Sequence, residues 1–317
     1  MNVLLWHLHG SWTTAFVQGG HEYLVPVLAD RGSYGLGRAR SWQWPASVRE
    51  VSPAELRRAE VDVVVLQRPA ELELAGRWLG RRVGRDVPAV YVEHNTPECV
   101  GQRHEIGDRS DIPLVHVTHF NQLCWDSGRA RSVVVEHGIV DPGERYTGEL
   151  ARTAVVVNDA GRRGRTVGAD LIPVFAQDAP VDLFGMGSAE FAKQHSSAAI
   201  EPHDLVQAQL HSEMARRRVY LHTTRWTSLG LSLLEAMHLG MPVVVLATTA
   251  ATEAVTAACG ALSTDVDQLR GRVRELINEP ELARLAGKTA RAAAVSRYGL
   301  DRFLDEWDDL LEQVADV

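Results

Sequence analysis

Cysteine is scarce in this chain of 317 residues. The three cysteines, Cys99, Cys124 and Cys259, are odd in number, and none of them shares the close CxxC spacing of redox and zinc-binding motifs. This scarcity argues against a disulfide-stapled secreted domain and against a structural zinc site. It favours a reduced protein of the cytoplasm that needs no bound metal.

Lysine is rare as well, and the chain has neither an excess of positive charge nor a long apolar run. Only two lysines occur, and 33 Lys plus Arg stand against 41 Asp plus Glu, which gives a formal net charge of −8. Binding to a duplex phosphate backbone needs a basic face, so nucleic acid is not expected as a partner. No segment approaches the ~20 apolar residues that cross a bilayer, and no basic region precedes an apolar run at the start. We therefore expect neither a transmembrane segment nor a signal sequence.

What the chain does contain is an alternation of short Val-rich runs with amphipathic stretches, which is typical of a parallel sheet covered by helices. The pattern predicts an α/β protein with one Rossmann-like domain at residues 1–150 and a second at 151–299. A last amphipathic stretch at about 300–317 predicts a helix that needs an apolar surface, for which the first domain is the candidate. The predicted strands are 3–6, 61–66, 89–92, 114–117, 133–135, 153–157, 181–184, 219–222 and 243–246.

Segment 220–245 carries the most information about function, because it follows the order strand, loop, helix, stop and strand. Thr227 or Ser228 can cap the helix, and Gly240 can end it in the left-handed conformation. The amino terminus of this helix then opens at the carboxyl edge of a parallel sheet. Free N–H groups and the helix dipole favour an anion there, such as a diphosphate.

The same segment resembles the signature of the GT-B glycosyltransferases of family four. The resemblance implies that Glu235 holds the ribose hydroxyls of a nucleotide and that the turn approaches the donor. Thr227 takes the place of a family Glu that contacts the donor sugar, and we count it among the catalytic candidates. The implied fold is two Rossmann-like domains facing each other across a cleft, with the acceptor on the first and the nucleotide sugar on the second. The matching residues are Ser228, Leu229, Gly230, Glu235, Ala236, Met237 and Gly240-Met241-Pro242-Val243-Val244.

An arginine cluster after the strand predicted at 153–157 also resembles the family. Arg162 matches an Arg that contacts the donor diphosphate, whereas Val167 stands where the family has a Lys. Arg163 or Arg165 would supply the missing charge, since the planar guanidinium suits phosphate. The alternative is an exposed basic loop without a ligand.

Three further landmarks follow the family's order along the chain. Gly19 and Gly20 resemble a glycine turn before a helix, whose backbone approaches the donor diphosphate, and paired glycines permit such an approach. Gly185 matches a Gly-rich turn near the base. His94 directly follows the strand at 89–92, where the family often has a His beside the donor sugar; a capping or packing role is the alternative.

The resemblance predicts an enzyme of carbohydrate biosynthesis that moves a hexosyl-type sugar from a nucleotide-diphosphate donor to an acceptor hydroxyl with retention. The arginines and the helix terminus would stabilise the leaving diphosphate, so neither a divalent metal nor another cofactor is expected. The acceptor, whether a small molecule, a lipid or a polysaccharide, and the oligomeric state stay open. A GT-B protein that binds a nucleotide without catalysis is the main alternative, and a nucleotide-sugar epimerase is a further one. An NAD dehydrogenase is disfavoured because no GxGxxG lies between a strand and a helix.

Overall fold

A parallel sheet of seven strands organises the first part of the chain. The computed structural model describes residues 1–196 and 198–316. Its first unit consists of Met1–Val140 and Leu300–Val317. The strands of this unit are β1 (Asn2–Leu5), β2 (Glu22–Pro26), β3 (Val48–Val51), β4 (Val63–Leu66), β5 (Ala89–Glu93), β6 (Gln102–Arg103), β7 (Leu114–His116), β8 (Trp125–Asp126) and β9 (Ser132–Val134).

The order of strands in this sheet is β3-β2-β1-β4-β5-β7-β9, and every neighbouring pair is parallel. Strands β6 and β8 form a separate two-stranded ribbon. The strand order reverses between β1 and β4. In doubly wound folds, ligands bind outside the carboxyl ends of the strands at this switch point.

A second parallel sheet of six strands organises the unit Asp141–Gly299. Its order is β12-β11-β10-β13-β14-β15, and its switch point lies between β10 and β13. Each unit is therefore Rossmann-like in topology. The strands are β10 (Leu150–Val156), β11 (Val181–Phe184), β12 (Ile200–His203), β13 (Arg217–His222), β14 (Val243–Leu246) and β15 (Gly260–Ser263).

The central strands are buried on both faces. β4 and β14 share the sequence Val-Val-Val-Leu, and each of their residues is buried. β-Branched side chains pack well on a pleated surface, and continuous apolar runs mark strands covered by helices on both sides. This explains why the Val-rich runs became the middle of each sheet.

Helices connect the strands, and no helix among the described residues is long and apolar enough to cross a membrane. The helix predicted at about 300–317 runs over Leu300–Ala315 and packs on the first unit, where Trp307 contacts Phe16; Val317 lies outside the described residues. The helices are α1 (Gly10–Phe16), α2 (Pro53–Leu56), α3 (Pro69–Leu79), α4 (His119–Cys124), α5 (Ala160–Arg163), α6 (Ile172–Phe175), α7 (Ser188–Gln194), α8 (Gln207–Met214), α9 (Leu231–His238), α10 (Ala251–Ala254), α11 (Val266–Asn278), α12 (Pro280–Tyr298) and α13 (Leu300–Ala315).

The amino-terminal segment of the first unit ends at Val140, ten residues before the boundary predicted at 150. The N–H groups of Arg145 and Tyr146 donate to the carbonyl of Leu239 at 3.1 and 3.0 Å. The carboxylate of Asp141 accepts from Arg291 at 2.8 Å. These contacts tie residues 141–149 to the second unit, although the segment carries no regular structure that a sequence pattern could reveal.

Candidate functional site

The loops that follow β10 and β13 lie side by side at the carboxyl edge of the second sheet. The N–H groups of Arg225 and Trp226 donate to the carbonyl of Thr166 at 2.9 and 3.1 Å. The Thr223 hydroxyl donates to the carbonyl of Val167 at 2.9 Å. The two loops that sequence analysis linked to a diphosphate are thus joined at the switch point of this sheet.

The arginine cluster predicted from the sequence occupies α5 and the turn after it. Arg162 is 74% exposed in its side chain and pairs with Asp159 at 2.9 Å. Arg165 is 77% exposed and pairs with Asp170 at 2.8 Å. Arg163 is half-buried, and its guanidinium has no hydrogen-bond or ion-pair partner among the described residues. Burial and the neighbouring Arg162 lower the pKa of Arg163.

Arg225 anchors this cluster, and sequence reasoning did not identify it. Its guanidinium donates to both carboxylate oxygens of Asp170 and to the carbonyl of Arg165. An Arg in the loop directly before the turn at 227–230 was the available signal. Val167 is only 2% exposed and belongs to the apolar core of the second unit. The position where the family has a Lys therefore offers no charge here.

Helix α9 begins later than the sequence predicted. Its N-cap is Gly230 in an extended conformation, and no side chain caps it, so the prediction of a Thr227 or Ser228 cap is wrong. A Cβ on Gly230 would lie 2.6 Å from Cε1 of His222, which explains a glycine at this close approach. The helix ends as predicted, since Gly240 has a φ of +85°.

The remaining turn residues pack against the rest of the second unit. Thr227 is half-buried, whereas Ser228 and Leu229 are 1% and 6% exposed. The carbonyl of Ser228 accepts from the N–H of Ala250 at 3.3 Å. This anchoring fixes the backbone just before the amino terminus of α9, where the first N–H groups of an α-helix have no intrahelical acceptor.

Glu235 and Gly185 lie on two further elements of the same unit. Glu235 is 4% exposed, and its Oε2 lies 3.3 Å from Nε2 of His211 on α8. Gly185 directly follows β11 with a φ of +127°, and a Cβ there would lie 2.6 Å from the carbonyl oxygen of Val157. That backbone conformation favours glycine, so Gly185 brings the ends of β10 and β11 into close contact.

Gly19 and Gly20 lie at the amino edge of the first sheet, away from the carboxyl ends of its strands. They stand between α1 and β2, where the N–H of Glu22 donates to the carbonyl of Met1 at 2.9 Å. Neither has a positive φ, and a Cβ on Gly19 would lie 2.5 Å from the hydroxyl of Tyr23. The prediction of a turn before a helix is therefore wrong, because strand β2 follows, and of the two glycines only Gly19 makes a close approach.

His94 lies at the carboxyl edge of the first sheet, as its position after β5 indicated. It is 8% exposed, and its Nε2 lies 3.0 Å from Oε1 of Gln67. Its ring contacts those of His9 and Trp12, with centroids 4.1 and 4.9 Å away. Burial holds the pKa of His94 well below its usual value, so the imidazole is neutral at pH 7.

Two other polar residues at this edge were not identified from the sequence. Gln67 follows the buried strand β4 directly and is 4% exposed. His137 follows β9, is 3% exposed, and its Nδ1 is buried without a hydrogen-bond partner among the described residues. For Gln67 the signal was a polar side chain directly after an apolar strand, whereas His137 stands three residues after β9 and had no such signal.

A group of potential metal ligands on the second sheet is already engaged by arginines. Asp182, Glu201 and His203 bring one ligand atom each within 4.8 Å of one another. Asp182 is fully buried and accepts from Arg152 at 2.6 Å and Arg217 at 2.5 Å. Two guanidinium groups satisfy this carboxylate, which lowers its pKa. The group forms a structural ion-pair network.

Part of the second unit matches a known family. Residues 202–293 match the family of glycosyl transferases group 1. This range contains β13, the turn at 227–230, α9 with Glu235, and β14. No curated protein matches the chain by sequence.

Several solved structures are similar to the chain. HepE from Anabaena, solved with UDP and glucose, is 15% identical, with 98% of this chain and 99% of HepE covered and a TM-score of 0.71. Sucrose-phosphate synthase from Thermosynechococcus elongatus is 11% identical, with 99% and 98% covered and a TM-score of 0.73.

TarM from S. aureus, solved with fondaparinux, alpha-GlcNAc-glycerol and UDP, is 13% identical with a TM-score of 0.66. The match covers 82% of this chain and 58% of TarM, so the chain spans little more than half the length of that protein. At these identities the likeness concerns the fold. The chain has the mixed α/β fold with parallel sheets of the GT-B glycosyltransferases.

Proposed function

We propose that the chain is a retaining glycosyltransferase that uses a nucleotide-diphosphate sugar as donor. The observation that carries this proposal is the arrangement of two loops at the carboxyl ends of β10 and β13. There the half-buried Arg163, which has no ion-pair partner in the part of the chain that the structure describes, lies in the loop bonded to the one that leads into α9. The segment of α9 lies in the range that matches the glycosyl transferase family.

This edge suits the chemistry of glycosyl transfer. When the bond between the anomeric carbon and the phosphate oxygen breaks, negative charge accumulates on the leaving diphosphate. The free N–H groups at the amino terminus of α9 and the guanidinium of Arg163 supply preorganised positive potential for that charge. With these groups in place the reaction needs no divalent metal, and Glu235 on the same helix would bind the ribose hydroxyls.

Retention follows if the acceptor hydroxyl attacks from the face that the diphosphate leaves. The new bond joins the acceptor oxygen to the anomeric carbon, and the hydroxyl proton passes to the leaving phosphate oxygen. The diphosphate then serves as the base, so a pair of acidic side chains is not required. As the resemblance implies, His94 would contact the sugar.

A nucleotide-binding protein without catalysis is the second candidate. The buried Val167 in place of a Lys and Thr227 in place of a Glu favour it. The two candidates agree on binding and differ on turnover. Nucleotide binding with neither transfer nor slow donor hydrolysis, across a panel of donors and acceptors, would support the second.

Binding is tested first by thermal unfolding with nucleoside diphosphates and nucleotide sugars, each with and without a metal chelator. A ligand that binds only the folded state raises the unfolding temperature. We expect UDP or another nucleoside diphosphate to raise the unfolding temperature by the same amount with and without the chelator. A shift that requires a divalent metal would contradict the metal-independent part, and no shift with any nucleotide would contradict the proposal.

Arg163→Ala is expected to weaken binding of the nucleoside diphosphate by roughly 10- to 100-fold, because a charge-assisted hydrogen bond contributes about 1.5–3 kcal/mol. Arg162→Ala is the matched control, since it removes an equal charge one residue away that Asp159 already neutralises. Titration calorimetry measures both. If Arg162→Ala shows the larger loss, Arg162 rather than Arg163 holds the diphosphate, as the resemblance alone implies.

A further inference from the structure

The amide of Gln67 can take only one orientation in its surroundings. Its Nε2 lies 2.9 Å from the carbonyl oxygen of Trp6, and its Oε1 lies 3.0 Å from Nε2 of His94. A backbone carbonyl accepts hydrogen bonds and cannot donate them, so the NH2 group must face Trp6. The amide oxygen then faces His94, and it too can only accept. Nε2 of His94 must therefore carry the proton.

Gln67 itself is held at its backbone. Its N–H donates to Oε2 of Glu71 at 2.7 Å, and the N–H of Arg68 donates to the same oxygen at 3.2 Å. Glu71 is fully buried at the first turn of α3. Gln67 thus stands on a fixed backbone between β4 and α3, and the residue is 4% exposed.

His94 is equally well fixed by its chain neighbours. The N–H of Asn95 donates to Oε1 of Glu93 at 2.6 Å, and the carbonyl of Asn95 accepts from Asn121 at 3.1 Å and Trp125 at 2.9 Å. The imidazole is neutral and its Nε2 is protonated, so its Nδ1 carries a lone pair. Nδ1 has no hydrogen-bond partner among the described residues.

We propose that Gln67 is a positioning residue that holds His94 as the Nε2–H tautomer, so that Nδ1 accepts a hydrogen bond from a hydroxyl of the sugar ligand. The part that concerns the hydroxyl rests on the proposed function, whereas the tautomer does not. A site built to accept from one hydroxyl discriminates against a ligand that lacks it, because the buried acceptor is then left unpaired. Gln67 would thereby contribute to donor specificity without touching the donor.

The tautomer is measured in the free protein by two-bond 1H–15N correlation spectra of the 15N-labelled wild type. The signals of His94 are assigned by their loss in a His94→Gln variant. We expect a pyrrole-type Nε2 and a pyridine-type Nδ1 at pH 7. A protonated Nδ1, in either the other tautomer or the imidazolium, would overturn the proposal, and this readout needs no substrate and no Gln67 variant.

The role of Gln67 is tested with Gln67→Met, which keeps the length of the side chain and removes both hydrogen bonds. We expect a fraction of Nδ1–H tautomer to appear and kcat/KM for sugar transfer to fall by about tenfold, the equivalent of one hydrogen bond. Binding of the nucleoside diphosphate alone should not change. Gln122→Met is the matched control, since it removes one side-chain bond to Ser132 in the same unit. An unchanged tautomer in Gln67→Met would overturn the role of Gln67.

The proposed function and the role of Gln67 can fail separately. If no sugar transfer is found with any donor, the proposed function fails while the spectra still decide the tautomer. If transfer is found but Gln67→Met keeps the wild-type kcat/KM despite a changed tautomer, Nδ1 accepts no hydroxyl in the reaction. In that case His94 has only a packing role, and the proposed function stands without it.

Discussion

Gly168 shows how closely single residues approach one another at the edge of the second sheet. Its φ is +69°, and a Cβ would lie 1.9 Å from the carbonyl oxygen of Thr223. Gly168→Ala is therefore expected to lower the free energy of unfolding by about 3 kcal/mol, of which about 1 kcal/mol reflects the left-handed backbone and the rest the clash. Urea unfolding measures the loss.

Gly143→Ala is the matched control for that change. Gly143 has a φ of +83° in the same unit, and no atom lies within 4 Å of its Cβ position. Only the backbone penalty of about 1 kcal/mol applies to it. Equal losses in the two variants would show that the loops at Gly168 and Thr223 separate without cost, and a nucleotide site built on their contact would then lose its support.

The sequence predicted which segments lie at the candidate site, but it did not predict how their side chains pair. The sequence indicates an arginine cluster and a helix terminus at the carboxyl edge of the second sheet, and the structure joins their loops. It could not show that Asp159 and Asp170 neutralise Arg162 and Arg165 while Arg163 finds no partner within residues 1–196 and 198–316. Such pairing depends on the turn that α5 makes, and a linear pattern does not specify that turn.

Among the elements, most central strands were predictable and most edge strands were not; the exceptions are the edge strand β9, predicted at 133–135, and the inner strand β2, which was not predicted. The Val-rich runs predict β4 and β14, whose residues are buried on both faces. β3, β12 and β15 stand at sheet edges, and β3 and β12 contain exposed charged residues. An edge strand packs against fewer neighbours, so it needs no continuous apolar run. The pair Gly19 and Gly20 was misplaced for a related reason, since β2 after it begins with the exposed Glu22.

Helix α3 depends on one buried carboxylate at its amino end. Glu71 accepts from the N–H groups of Gln67 and Arg68 and pairs with the Arg68 guanidinium at 2.7 Å. In the Glu71→Gln variant an NH2 group replaces one carboxylate oxygen, and this hydrogen-bond donor then faces N–H donors. We expect the free energy of unfolding to fall by about 3 kcal/mol, because breaking a buried charged network leaves its partners unsatisfied. Chemical denaturation gives the value.

Helix α2 supplies the control for this element. Glu55 forms the same kind of box with Ser52 at a solvent-exposed helix start. Water replaces the lost partners there, so Glu55→Gln should be clearly less harmful than Glu71→Gln. If the two variants lose the same stability, burial of Glu71 adds nothing to the cap, and the rigid backbone under Gln67 would need another explanation.

At the scale of the whole molecule, buried histidines link stability to pH in both units. Burial is the first cause that lowers the pKa of His9, His116 and His222 to about 4, and of His137 to about 3. In the unfolded chain a histidine titrates near 6.5. Between these values the unfolded state binds more protons than the folded state. Stability is therefore complete above about pH 6.5 and is lost as the pH falls toward 4.

His137→Asn tests this linkage at one site. The variant removes a group with a folded pKa of about 3, so it loses less stability than the wild type when the pH falls from 7.5 to 5. From the two pKa values we expect a difference of about 2 kcal/mol between the losses, measured by urea unfolding at both pH values. Any constant effect of the substitution cancels, because each protein is compared with itself. Equal losses would mean that His137 is protonated without unfolding, and that its buried Nδ1 gains a partner when it is charged.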